Sequence, residues 1–316
     1  MDCEREERMT KIAFCFPGQG SLESGMGREI AEAFPEAMEM FDRGSEAAGI
    51  DLRHLCFEAS EEELVDTAVQ QPALVATSLA VLAALKARGI EPDYVIGHSV
   101  GEFAALAAAE ALPYDEAIAL VRERGLAMAE AAQRRPGSMA AILGLDDPIV
   151  EELCREIAGV WPANYNCPGQ IVVSGENPSV EECCEQAEDE GARRTVKLRV
   201  SGAFHSPLVA HAAERFKPAI DRIKFHEPAA PFMSTVTAKI EPAHRMAGLL
   251  VEQLTAPVKF TQAASELARE GVKTFVEVGP GNVLSGLLRR IDKTAKAIPV
   301  NNLAGLKKLE DELATT

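Results

Sequence analysis

Gly97-His98-Ser99-Val100-Gly101 sets a serine between two glycines, after the short apolar run Tyr94-Val95-Ile96 and before an alanine-rich stretch. A G-x-S-x-G sequence between a strand and a helix lifts the serine hydroxyl above the sheet edge, and its glycines permit the tight turn. The Val100 N–H, at the following helix start, would point at an oxyanion because helix-terminal N–H groups have no partner in the helix. The chemistry that suits this arrangement is acyl transfer through a serine ester. A chance glycine-rich corner is the plain alternative.

A serine nucleophile needs a base. The histidines are His54, His98, His205, His211, His226 and His244. His98 lies inside the turn, where its side chain should point away from the serine's. His205, in Gly202-Ala203-Phe204-His205-Ser206-Pro207, falls where a change of chain character ends, and clefts form at such seams. A structural histidine is as open a reading as a catalytic one. No Asp or Glu between Ser99 and His205 has a distinctive setting, so the third member of a triad is undecided.

Arg124 shares a helical face with Leu120, Val121 and Met128, whereas Arg122 falls on another. Arginine in an apolar stripe is costly without an anionic partner. A structural salt bridge would provide one. So would a substrate carboxylate, which a planar guanidinium holds through two parallel hydrogen bonds. Gly18-Gln19-Gly20 follows another apolar run, but the next glycine is Gly25, so the dinucleotide spacing fails. A close approach of the Gln19 amide to a ligand remains sensible.

Strands and helices alternate around these residues, which predicts an α/β fold with a mainly parallel sheet. Strands are expected at 12–16, 94–97, 232–235 and 274–278, with helices at 26–48, 72–88, 102–111 and 113–132. Between residues 134 and 203 the order changes to β-α-β-β-α-β, with strands at 139–143, 161–164, 171–174 and 195–200 and helices at 147–158 and 181–190. That is a ferredoxin-like unit of a size to fold as an insert. The expected division is therefore a discontinuous large domain, 9–133 and 204–316, interrupted by a small domain, 134–203.

The 316 residues are 47% hydrophobic and 26% charged, as in a well-packed globule. A net charge of −17 argues against nucleic acid as a partner. Arg193, Arg194, Lys197 and Arg199 form one basic cluster, and Arg289, Arg290, Lys293 and Lys296 another, either of which reads equally as a solvated face. Seven cysteines without paired spacing fit a reduced cytoplasmic chain and give no metal site. The acidic first residues are no signal peptide, and the apolar run 73–85 is too short to span a bilayer.

Taken together, Phe16-Pro17-Gly18-Gln19-Gly20, Gln70-Gln71-Pro72, the stretch 97–102, Arg124-Gly125, the stretches 164–170 and 202–205, Gln253 with Pro257-Val258, and the stretch 277–281 resemble the malonyl-CoA:acyl-carrier-protein transacylase family of type II fatty acid synthesis. They run in family order across almost the whole chain. The resemblance implies an α/β-hydrolase-like large domain carrying the ferredoxin-like insert. It implies Ser99 as nucleophile, His205 as its base, and Gln253 as the carbonyl that orients His205. It further implies Gln19 and Val100 amides as the oxyanion hole and Arg124 as the holder of the malonyl carboxylate. Met128 and Asn166 would line the pocket, and Phe204 would favour malonyl over bulkier branched units.

Malonyl-CoA and acyl carrier protein are the partners so implied, with no cofactor, no membrane and a monomeric chain. Arg289 and Arg290 are candidates for docking an acidic carrier protein. Residues 1–8, ahead of Met9, read as a tail without function. The rivals are a serine hydrolase, a docking domain without turnover, and a transacylase for another acyl unit.

Overall fold

The computed structural model describes residues 11–60 and 62–315; Cys3, the tail 1–8 and the expected domain start at residue 9 lie outside them. Six strands form the larger sheet: β1 (Lys11–Phe16), β2 (Tyr94–Gly97), β7 (Phe232–Ser234), β8 (Lys239–Ile240), β9 (Val272–Val278) and β10 (Lys296–Val300), in the order β10-β9-β1-β2-β7-β8. All its pairings are parallel except β7 with β8. Ile12 to Phe16 are all buried, the continuous apolar run of a strand covered on both faces.

Four strands form the second sheet: β3 (Ser138–Leu143), β4 (Val160–Cys167), β5 (Gln170–Gly175) and β6 (Arg194–Lys197), in the antiparallel order β4-β5-β3-β6. With helices Asp147–Glu156 and Asn177–Asp189 between them, the chain order is the expected β-α-β-β-α-β. Alternation along β3 divides its side chains between two cores. Ala140 and Ile142 pack with Val150, Leu153, Ile171 and Val180, whereas Met139 and Ala141 join the core of the larger sheet. A bridge stitches the two parts together beside the site: Tyr165 N–H donates to Val258 O and Val258 N–H to Ala163 O, each at 2.8 Å.

Three local expectations need correction. The single helix expected at 26–48 is two, Arg28–Ala33 and Pro35–Ala48, because Phe34 is extended (φ −128°) ahead of Pro35. The helix expected from Pro72 starts a turn and a half earlier and runs Thr67–Ala87, capped by Asp66, which accepts from Ala68 N–H. Pro72 inside it leaves the Ala68 carbonyl without its helical donor, and Arg122 Nη1 donates to that carbonyl at 2.6 Å. This helix, at 21 residues, is also long and apolar enough to cross a membrane, contrary to the estimate from run 73–85. It is instead a core helix, with Ala73 to Leu85 all buried.

Candidate active site

Ser99 sits in the turn from β2 into helix Gly101–Ala108 with φ of 52°, a left-handed conformation that L residues rarely hold. The flanking glycines are required by contact. A Cβ on Gly97 would lie 2.1 Å from Glu102 N, and one on Gly101 would lie 2.2 Å from Phe16 O. The loop after β1 approaches as closely, since a Cβ on Gly18 would lie 2.5 Å from His98 O. Gln19, in that loop, lines the same cavity as Ser99. Val100 is the N-cap of the helix, so its N–H belongs to the first turn, where N–H groups lack intrahelical acceptors.

His205 Nε2 lies 2.8 Å from Ser99 Oγ, and His205 Nδ1 lies 2.8 Å from the backbone carbonyl of Gln253. A carbonyl only accepts, so the ring proton sits on Nδ1 and the Nε2 lone pair faces the serine hydroxyl. Burial, then the charge of Arg124, push the His205 pKa down to about 3, which keeps the ring neutral. His205, like Ser99, holds a left-handed backbone (φ 57°).

Arg124, in helix Tyr114–Arg134, is fully buried behind the serine. Its Nη1 donates to Gln71 Oε1 at 2.7 Å, and its Nη2 donates to Gln253 Oε1 at 2.9 Å and to Ser99 Oγ at 3.2 Å. Among the described residues Nε has no hydrogen-bond partner, and each hydrogen bond of the guanidinium goes to a neutral group. Burial lowers its pKa to about 9, still protonated at neutral pH.

Gln253 follows helix Ala243–Glu252 and uses both ends of its amide. Nε2 donates to Ser99 O at 3.0 Å and to Glu102 Oε2, while Oε1 receives Arg124. Glu102 is the residue that sequence reasoning passed over. It is fully buried and accepts from Thr235 N–H at 2.6 Å and Thr235 Oγ1 at 2.8 Å. Burial pushes its pKa up to about 7, against these donors and the charge of Arg124. One signal could have found it: Glu102 is the sole charged residue in Gly101–Ala108, an otherwise apolar helix.

A cavity of about 70 Å³ opens at the seam, lined by Gln19, His98, Ser99, Met139, Asn164, Leu198, Val200, Phe204 and His205. Phe204 is among them, and Met128 and Asn166 stand one contact back, beside residues of the site. Met128 Sδ accepts from Gln71 Nε2 at 3.2 Å, and Asn166 Oδ1 meets His98 Nε2 at 2.9 Å. His98, expected to turn away, lines the same cavity as Ser99 and stacks at a tilt near Phe260. Arg290 donates to Gln170 Oε1 and Pro168 O, each at 2.9 Å, and Arg289 Nη2 to Ala297 O at 3.1 Å. No cluster of three or more His, Cys, Asp or Glu suited to a metal occurs among the described residues.

Residues 13–315 match the acyl transferase domain family. The malonyl CoA-acyl carrier protein transacylase of Bacillus subtilis (strain 168) is 44% identical over 300 residues, 93% of this chain and 94% of that protein. The crystal structure of a malonyl-CoA:acyl carrier protein transacylase from Xanthomonas oryzae pv. oryzae superposes with a TM-score of 0.93 at 40% identity, covering 96% of this chain and 98% of that one. A malonyl-transacylase solved in complex with its type II PKS acyl-carrier protein gives 0.93 at 37% identity, covering 96% and 100%. With the elbow, the histidine and the buried arginine in one site, the chain belongs to the acyl transferase family, among the malonyl CoA-acyl carrier protein transacylases.

Proposed function

We propose that the protein transfers malonyl from malonyl-CoA to the phosphopantetheine thiol of an acyl carrier protein through a malonyl ester on Ser99, supplying fatty acid synthesis. The observation that carries this reading is the convergence of His205 Nε2 and Arg124 Nη2 on Ser99 Oγ, at 2.8 and 3.2 Å. One group suits removal of the serine proton. The other suits a carboxylate close to the reacting carbonyl.

In the forward half-reaction Ser99 Oγ attacks the thioester carbonyl while His205 Nε2 takes its proton. The Gln19 and Val100 amides stabilise the oxyanion. The C–S bond then breaks, and the coenzyme A sulfur leaves with the proton from His205. The carrier thiol enters by the reverse route, giving ping-pong kinetics. Arg124 holds the malonyl carboxylate, which fixes the acyl group in a near-attack pose. The Gln253 carbonyl keeps the His205 tautomer, with less stabilisation of an imidazolium than a carboxylate would give. Phe204 narrows the cavity against branched acyl groups. The chemistry calls for no cofactor.

A hydrolase reading would want a carboxylate on His205 Nδ1, where this chain has a carbonyl. The division into 9–133 with 204–316 and an inserted ferredoxin-like 134–203 accords with the two sheets and their separate helices. A monomeric, cytoplasmic enzyme with carrier docking near Arg289 and Arg290 completes the reading.

The test is intact-protein mass after mixing with malonyl-CoA alone, beside Ser99→Ala. A malonyl-sized adduct on the wild type only, discharged by carrier protein, is the expected result. Free malonate and coenzyme A accumulating without an adduct would mean a hydrolase. Arg124→Ala should lose the malonyl adduct at least tenfold in rate while uncharged acyl-CoAs compete; unimpaired malonylation would remove the clamp role.

A further inference from the structure

We propose that Glu102 is a positioning residue that fixes the Gln253 amide and, through it, the Arg124 guanidinium, and so sets the preference for carboxylated acyl groups. This rests on the proposed malonyl transfer and adds to it a residue outside the reacting set. The hydrogen bonds form one directed chain. Thr235 N–H and Oγ1 donate to Glu102 Oε1, and Gln253 Nε2 donates to Glu102 Oε2. The second Nε2 hydrogen goes to Ser99 O at 3.0 Å. With both amide hydrogens committed, Gln253 Oε1 has to face Arg124 Nη2, at 2.9 Å. Nη2 then reaches Ser99 Oγ with its remaining hydrogen.

An ionised carboxylate only accepts, and that fixes the direction of every later bond. The backbone N–H of Thr235 and the amide of Gln253 can only donate to it, so a proton on Glu102 would leave Gln253 Nε2 or Thr235 N–H facing a hydroxyl. Burial opposes the charge, but the donors are built for it. Glu102 also answers the puzzle of Arg124, a buried cation whose direct contacts are all neutral. The Glu102 carboxyl stands one amide away and supplies the counter-charge above its pKa of about 7, which leaves the guanidinium free for a second anion. A carboxylate in direct contact would occupy it instead.

Glu102→Gln keeps size and shape but places an NH2 where an oxygen stood. If its NH2 faces Gln253 Nε2, the clash is relieved by turning the Gln253 amide over, which then presents hydrogens to Arg124. If its NH2 faces Thr235 instead, a donor meets the Thr235 N–H. Rates of Ser99 acylation by malonyl-CoA and by acetyl-CoA, followed by intact mass, give the ratio of kcat/KM for the two donors. The expected result for Glu102→Gln is a fall of tenfold or more in that ratio, with the acetyl rate within threefold of wild type. Glu102→Asp, which restores an acceptor-only group, should recover part of the ratio.

An equal loss of both rates, or a ratio that stays put, would mean that Glu102 only supports the fold. Should Glu102→Gln not fold, Gln253→Met breaks the same chain while keeping the backbone carbonyl on His205. It predicts the same tenfold fall, and an unchanged ratio there overturns the proposal. A wild type that forms no malonyl adduct would instead refute the proposed activity itself.

Discussion

Ser99 and His205 face each other from backbones that both lie in the left-handed region, at φ 52° and 57°. Such conformations cost about 1–3 kcal/mol each and persist where the surroundings over-determine them. Ser99→Gly and Ser99→Ala both abolish acylation and lose the same hydrogen bonds, but only Gly relieves the left-handed backbone, so Ser99→Gly should be the more stable of the two by about 1 kcal/mol, read as a higher Tm. Equal Tm values would mean that the turn is unstrained. The His205 pKa, depressed from 6.5 to about 3, has a thermodynamic sign. Between those values the unfolded chain binds more protons than the folded one, so stability present above pH 6.5 is lost as pH falls toward 3. Denaturant titrations of wild type and His205→Gln should accordingly differ by about 2 kcal/mol less in the wild type's favour at pH 5 than at pH 7. A gap independent of pH would show that the ring is not held neutral by burial.

At the scale of elements, the turn between β2 and helix Gly101–Ala108 has no room at its glycines. Gly101→Ala would drive a methyl into the Phe16 and Pro17 carbonyls, at the end of β1 and the start of the loop after it. A loss of at least about 3 kcal/mol is expected on denaturation, with activity lost in any folded fraction; a stable, active variant would show that the strand and loop can separate. This turn was legible because its pattern is local: strand, glycine, serine, glycine and helix follow each other in five residues. The helical face carrying Arg124 was legible for the same reason. The break at Pro35 and the proline-containing helix Thr67–Ala87 show where local rules mislead. One proline ends a helix, while the other is tolerated because Arg122 supplies the missing donor from another helix. Glu102 had only its lone charge in an apolar helix to point to it, because its partners, Thr235 and Gln253, stand more than 130 positions away. Asn166 and Met128 were placed by resemblance; their side chains meet His98, which lines the cavity, and Gln71, which holds Arg124.

For the molecule as a whole, the strong negative charge makes any attraction for an acidic carrier local. Arg289 is the simpler test of docking, because it donates to Ala297 O within its own neighbourhood, whereas Arg290 ties Pro168 O and Gln170 Oε1 at the turn from β4 into β5. Arg289→Glu should raise the carrier-protein KM about threefold or more and spare acylation by malonyl-CoA; an unmoved KM would put the docking face elsewhere. The bridge from β4 to Val258 has a consequence for engineering. Val258 lies five residues after Gln253, whose carbonyl holds the His205 tautomer, so the bridge ties the small sheet to the segment that orients the base. A laboratory that grafts residues 134–203 from a relative to alter acyl choice should obtain poor enzymes unless 253–258 travels with the graft. Chimeras made both ways, compared by kcat, would show whether nature's insert is a detachable cassette or half of a matched hinge.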